Sequence, residues 1–105
     1  MAPKKLEKNV CPIAKVVDFI GDHWTMLIIR DLLTGPKRFG DLETSLAGVS
    51  SRTLVKKLEC LSENKFITRK SFRETPPRVE YSLTKKGAGL HGIAEAMRKY
   101  GEKHL

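Results

Sequence analysis

The sequence predicts a mainly α chain with a small antiparallel β wing, an α+β domain of 105 residues. Three observations predict it. Apolar residues recur at helical spacing from residue 12 to residue 63. Between 66 and 83 the period falls to two, and from 85 to 104 helical spacing returns. A chain of this length builds one modest core in a single domain spanning 1–105. With 40% hydrophobic and 30% charged residues, it has the balance of a folded, soluble protein.

Residues 1–9 form a polar, basic and flexible start. The first helix begins at Pro12, because proline at the first helical position lacks only an N–H that had no intrahelical partner. Ile13, Val16, Val17 and Ile20 follow at helical spacing, and Gly21 ends the run. A second helix over 22–33 takes Asp22 as its N-cap. Trp24, Met26, Leu27, Ile28, Ile29, Leu32 and Leu33 make it apolar on most sides, which places it in the middle of a core. Gly35-Pro36 breaks it. A short third helix over 39–46 aligns Phe39, Leu42 and Leu46. The turn "AGVS" then delivers Ser50 as the N-cap of a fourth helix running to about 63. Leu54, Leu58 and Leu61 make one stripe on it, with Arg52, Lys56, Glu59 and Glu63 opposite.

A strand over 66–72 and a second over 78–83 form a hairpin across "RETPP". In the second strand Val79, Tyr81 and Leu83 alternate with Arg78, Glu80 and Ser82. Pro76 and Pro77 stiffen the tip and cannot donate to a ladder. Thr84 caps a last helix over 85–104 whose apolar face is Leu90, Ile93, Met97 and Tyr100. Gly87, Gly89 and Gly92 weaken its first turns.

Twenty Lys and Arg against twelve Asp and Glu leave a net charge of +8, a large excess for so small a chain. Such a surface suits a polyanion, most simply nucleic acid, and the basic fourth helix favours double-stranded DNA. A membrane surface ranks low, because no helix joins a lysine-rich face to an aromatic one. No apolar run is long enough to span a bilayer and no secretory h-region appears, so the expected location is the cytoplasm. Two distant cysteines make neither a disulfide framework nor a zinc set. His23, His91 and His104 are scattered, and no phosphate-binding glycine loop or catalytic constellation is visible. We therefore expect no enzyme, metal or cofactor.

Four helices, a hairpin and a further helix in a basic chain contain the order of a winged helix-turn-helix. The helix-turn-helix spans 39–63 and the wing 66–83. The second helix of such a pair buries one stripe and presents its N-terminal outer surface to base edges in the major groove. Ser50, Ser51, Arg52, Thr53 and Lys56 supply that surface, with arginine suited to guanine and hydroxyls to bases or phosphate. Ser51 and Thr53 are equally suited to capping alone. Arg73 and Arg78, with Lys70 beside them, are candidate DNA contacts on the wing. Lys37 and Arg38 are candidate phosphate clamps before the third helix. The competing functional class is a winged-helix module that binds nucleic acid without sequence preference, or a protein partner.

"CPI", then "GDHWTMLIIRDLLTGPKRFGDLETSLAGVSSRTLVKKLECL", then "PPRVEYSLTKKG" resemble the HxlR-type family of bacterial winged helix-turn-helix transcriptional regulators, within the MarR-like superfamily. The resemblance covers about residues 11–101. It implies a homodimeric regulator on an inverted-repeat operator, with 50–61 as recognition helix. It also implies that the first and last helices form the dimer, through Ile13, Val16, Val17, Ile20, Leu90, Ile93, Met97 and Tyr100. The chain departs from the family at "ENKF", where a "-DGL-" type turn is usual; Asn64 is expected to take the left-handed conformation there. It departs again at Tyr100-Gly101, where a tryptophan is usual before the glycine.

The controlling signal is a small-molecule effector or an oxidant. Cys11, beside Pro12, stands at the start of the first helix, where the dipole favours a thiolate, with Lys8 and Lys15 adding to it. Some HxlR-type regulators use a cysteine of this motif as a redox or electrophile sensor, which makes Cys11 a candidate sensor. A plain cap-site residue is the equal alternative. Cys60, at the flank of the leucine stripe, is expected to be a half-buried packing residue.

Overall fold

The computed structural model describes residues 11–105. The flexible start expected for 1–9, and Lys8 with it, lies outside the described residues. In chain order the elements are α1 (Pro12–Ile20), α2 (Thr25–Leu32), β1 (Lys37–Arg38), α3 (Phe39–Ser45), α4 (Ser51–Glu63), β2 (Ile67–Phe72), β3 (Arg78–Leu83), α5 (Lys85–Ala88) and α6 (His91–His104).

α1 has the expected bounds, from an N-cap at Cys11 to a C-cap at Gly21. α2 starts three residues later than expected. Asp22 still caps it from outside: its carboxylate accepts the N–H groups of Trp24 and Thr25 at 2.9 and 3.0 Å. The first turn is thus an Asp-closed loop rather than helix. α2 is the central element, with Ile28 and Ile29 fully buried. Leu42 from α3 and Leu46 at its C-cap, Leu54, Leu58 and Leu61 from α4, Ile67 from β2 and Leu90 close the core with it.

The two-stranded wing expected from periodicity is part of a three-stranded sheet in the order β1-β3-β2. Lys37 pairs with Tyr81 and Arg38 with Glu80 on one side of β3, and Ile67 through Phe72 pair with Leu83 through Arg78 on the other. β3 is therefore the middle strand. This is why all six of its residues are half-buried, polar and apolar alike.

The turn from α4 into the wing also differs from expectation. Asn64 has φ −90°, and Lys65 carries the left-handed conformation at φ 67°. Asn64 instead donates from its side-chain amide to the Cys60 carbonyl at 2.8 Å. Neighbouring bonds fix the strained residue: Lys65 N–H to Ser62 O at 3.0 Å, Phe66 N–H to Leu61 O at 2.9 Å, and Thr84 Oγ1–H to Lys65 O at 2.7 Å.

The single last helix expected over 85–104 is two segments, α5 and α6, separated at Gly89-Leu90. Thr84 caps α5 by accepting the Gly87 N–H at 3.1 Å while donating to Lys65, so one hydroxyl ties the wing root to the last helices. Gly87 is buried there, and a Cβ would collide with the carbonyl oxygen of Phe66. No helix among the described residues is long and apolar enough to cross a membrane.

Candidate nucleic-acid interface

α4 is held in place from three sides. Its leucine stripe enters the core, as the spacing predicts. Ser51 Oγ–H donates to Glu43 Oε2 on α3 at 2.7 Å. Lys57 pairs with Asp22 at 3.2 Å, joining α4 to the start of α2. Burial opposes ionisation of Asp22. Hydrogen bonds from the Thr25 hydroxyl, from the backbone N–H groups of Trp24 and Thr25, and from Lys57 outweigh it, so its carboxyl lies below its ordinary value. The loop that presents α4 turns at Gly48, whose φ of 92° suits glycine.

The N-terminus of α4 spends its hydroxyls inside the fold. Ser50 Oγ accepts the Thr53 N–H at 3.0 Å and donates to Thr53 Oγ1 at the same distance. With Ser51 on Glu43, the hydroxyls of Ser50, Ser51 and Thr53 all have partners within the chain: Ser50 and Thr53 close the cap, and Ser51 ties α4 to α3. Arg52 and Lys56 differ. Both are exposed on the outer face of the helix, and neither makes a hydrogen bond or ion pair among the described residues.

The wing cations separate in the same way. Arg73 and Lys70 are exposed. Arg78 is not available as expected. Its guanidinium bonds Glu74 at 2.9 Å, lies 3.7 Å from Glu80 and stacks 3.9 Å above the Phe72 ring. Phe72 stands directly across the hairpin from Arg78, so register creates the stack. Arg69, exposed on β2, is a further open cation that the sequence reading passed over. Lys37 and Arg38 fall in β1 rather than a loop. Arg38 is exposed and its backbone N–H goes to Asp41 at 2.9 Å, while Lys37 is half-buried.

The residues expected at a dimer contact are divided by the fold. Ile13 is 74% exposed, Val17 55%, Met97 53% and Tyr100 62%, and Val16 is exposed with them. Leu90 is a correction: it is buried in the chain's own core, where the break between α5 and α6 turns it inward. Ile20 and Ile93 also pack against that core. Beside the apolar face of α6, Arg98 bridges Glu95 at 2.7 Å and Glu102 at 2.8 Å. The Arg98 hydrogen bond holds the Glu95 carboxyl below its ordinary value. A hollow of about 560 Å³ separates α2 from α6, lined by Met26, Leu27, Leu33, Ala94 and Met97 among others.

Cys11 sits at the N-cap, as expected. It is exposed, and its Sγ accepts the Ala14 N–H at 3.4 Å. Cys60 is a second correction. It is exposed rather than half-buried, because it lies beyond the edge of the leucine stripe and looks toward a hollow against α1.

A family model described as HxlR-like helix-turn-helix matches residues 19–105. The chain is 40% identical over 97 residues to a helix-turn-helix transcriptional regulator of Synechocystis sp., covering 92% of this chain and 72% of that one. Among solved structures it superimposes on a MarR-family transcriptional regulator from Porphyromonas gingivalis W83 with a TM-score of 0.88. The identity is 33%, with 97% of this chain and 100% of that one covered. The redox regulator HypR in its oxidised form gives a TM-score of 0.85 at 30% identity, covering 90% of this chain and 98% of that one.

Proposed function

Given that this chain belongs to the HxlR-like helix-turn-helix family, and is a DNA-binding transcriptional regulator with it, we propose that it acts as a homodimer on an inverted-repeat operator. The observation that carries this is the contrast between two surfaces. The outer face of α4 presents Arg52 and Lys56 without partners among the described residues, while α1 and α6 expose apolar side chains. One short recognition helix reads few base pairs. A two-fold pair places two of them about one DNA turn apart, or a multiple of that, and apolar helix faces supply the contact. In this reading Arg52 and Lys56 meet the major groove. Arg73, Lys70 and Arg69 meet phosphates or the minor groove, and Arg38 clamps a phosphate. Ser50, Ser51 and Thr53 set the start of α4, and Arg78 holds the wing's shape.

Two measurements test this. Sedimentation of the full chain gives a dimer if the α1 and α6 faces do what is proposed. Titration against an inverted-repeat duplex selected from a random pool, and against random duplex, gives a tighter complex with the selected one at the same salt. A monomer with equal affinity for both overturns the proposal and leaves a nonspecific binder.

Control through Cys11 is the second part of the proposal, supported by its exposure at the start of α1 and by similarity to a protein described as a redox regulator. A peroxide transfers one oxygen atom to the Cys11 sulfur, leaving a sulfenic acid on the protein and water or an alcohol in solution. A change at the N-cap alters the seating of α1 and, through the dimer, the spacing of the two α4 helices. The Cys11→Ser variant keeps its DNA under peroxide, diamide or quinone while wild type releases it. Equal release by both overturns this assignment.

A further inference from the structure

Seven large apolar side chains are markedly exposed among the described residues. Six of them, Ile13, Val16, Val17, Met97, Tyr100 and Leu105, lie on α1 or at α6 and its C-terminus. The seventh is Val55, 42% exposed in the middle of the recognition helix. It stands off the stripe by which Leu54 and Leu58 enter the core on either side of it, and is not one of the residues that build that core. Local structure gives no reason for it, since a β-branched residue on an exposed helix face is a weaker helix former than alanine. Its neighbours are Arg52, one turn before, and Lys56. It also lines a hollow of about 610 Å³ between α4 and the wing sheet, together with Glu59, Arg69 and Tyr81.

We propose that Val55 reads a thymine methyl group in the major groove. This rests on the operator-binding reading above. A base pair offers the groove one apolar feature, the C5-methyl of thymine, and an uncharged branched side chain on a recognition helix is matched to it. Glu59 and Glu63 stand beside Val55 in the same hollow and repel phosphate, so a base edge rather than the backbone fits there. Arg52 on the preceding turn selects a guanine by hydrogen bonds, and Val55 adds an adjacent thymine by burial. Specificity then comes from two kinds of contact on one helix face.

Deoxyuridine isolates the contact, because it differs from thymidine only by that methyl. Duplexes are selected from a random pool with the full chain, and each thymine of the selected site is replaced in turn by uracil. One replacement per half-site weakens wild type about fourfold, the factor that burying one methyl-sized group carries. The same replacement leaves Val55→Ala unchanged within error. Val55→Ala melts with wild type, since alanine favours the helix and the side chain it shortens is exposed. If every thymine of an enriched site tolerates uracil, or if Val55→Ala loses as much as wild type, the Val55 assignment is overturned while operator binding stands. If no sequence is enriched, the operator reading falls and this one with it.

Discussion

The recognition helix and the wing each carry several cations, and they hold them differently. On α4 the outer pair, Arg52 and Lys56, has no partner among the described residues, and the inner Lys57 is tied to Asp22. On the wing the best-placed arginine is already engaged, with Arg78 closed between Glu74, Glu80 and the Phe72 ring. A formal charge therefore says little about availability. A cation bonded to two carboxylates and a ring contributes shape, and only an unpaired one offers its full field to a phosphate or a guanine.

The strongest way to break both regions at once is at their common root. Gly87→Ala forces a methyl group against the Phe66 carbonyl, between the wing and α5. It lowers stability by about 2–3 kcal/mol in denaturant melts, with DNA binding lost in proportion to the unfolded fraction. The two arginines separate binding from stability. Arg52→Ala costs about 2 kcal/mol of binding to a selected site and leaves the melting temperature within a degree. Arg78→Ala does the reverse: it costs about 1 kcal/mol of stability as the stack and ion pairs are lost, with a smaller effect on affinity.

Asp22 provides a pH test of how α4 is anchored. Its folded pKa lies below the ordinary 3.8, so its contribution is complete above that value and disappears as pH falls through the lower folded value. Acid melts of wild type steepen there, and Asp22→Asn flattens that limb. The smallest effect belongs to the turn between the two regions. Lys65→Gly relieves the left-handed backbone at φ 67° and raises stability by about 0.5 kcal/mol, part of the relief being offset by the freer unfolded chain.

Most of this architecture is legible in the sequence because it rests on periodicity and punctuation. Pro12 and Gly21 bound α1, the leucine triplet sets the buried face of α4, and Ser50 and Thr84 cap as their positions require. Features that rest on partners distant in sequence were not legible. β1 is two residues long, too short to show a period, and it exists only because β3 has a free edge beside it. The break at Gly89-Leu90 reflects Leu90 turning into the core, which helical spacing alone presents as one continuous stripe. Asn64 is the better intrinsic left-handed residue, yet the bonds from Phe66 and Thr84 place that conformation on Lys65. The fate of Arg78 depends on cross-strand register. Val55 was within reach, since it falls off the Leu54–Leu58–Leu61 stripe on a helical wheel, and attention to charge passed over it.

In the proposed function the outer face of α4 reads bases. The most direct measurement is the ratio of affinities for a selected inverted repeat and for random duplex, taken for wild type and for Arg52→Ala at one salt concentration. Arg52→Ala is predicted to lower affinity for the selected repeat at least tenfold while random-duplex affinity changes about twofold or less, so the ratio collapses. An equal loss on both duplexes, with the ratio preserved, would place Arg52 on the phosphate backbone and contradict the account.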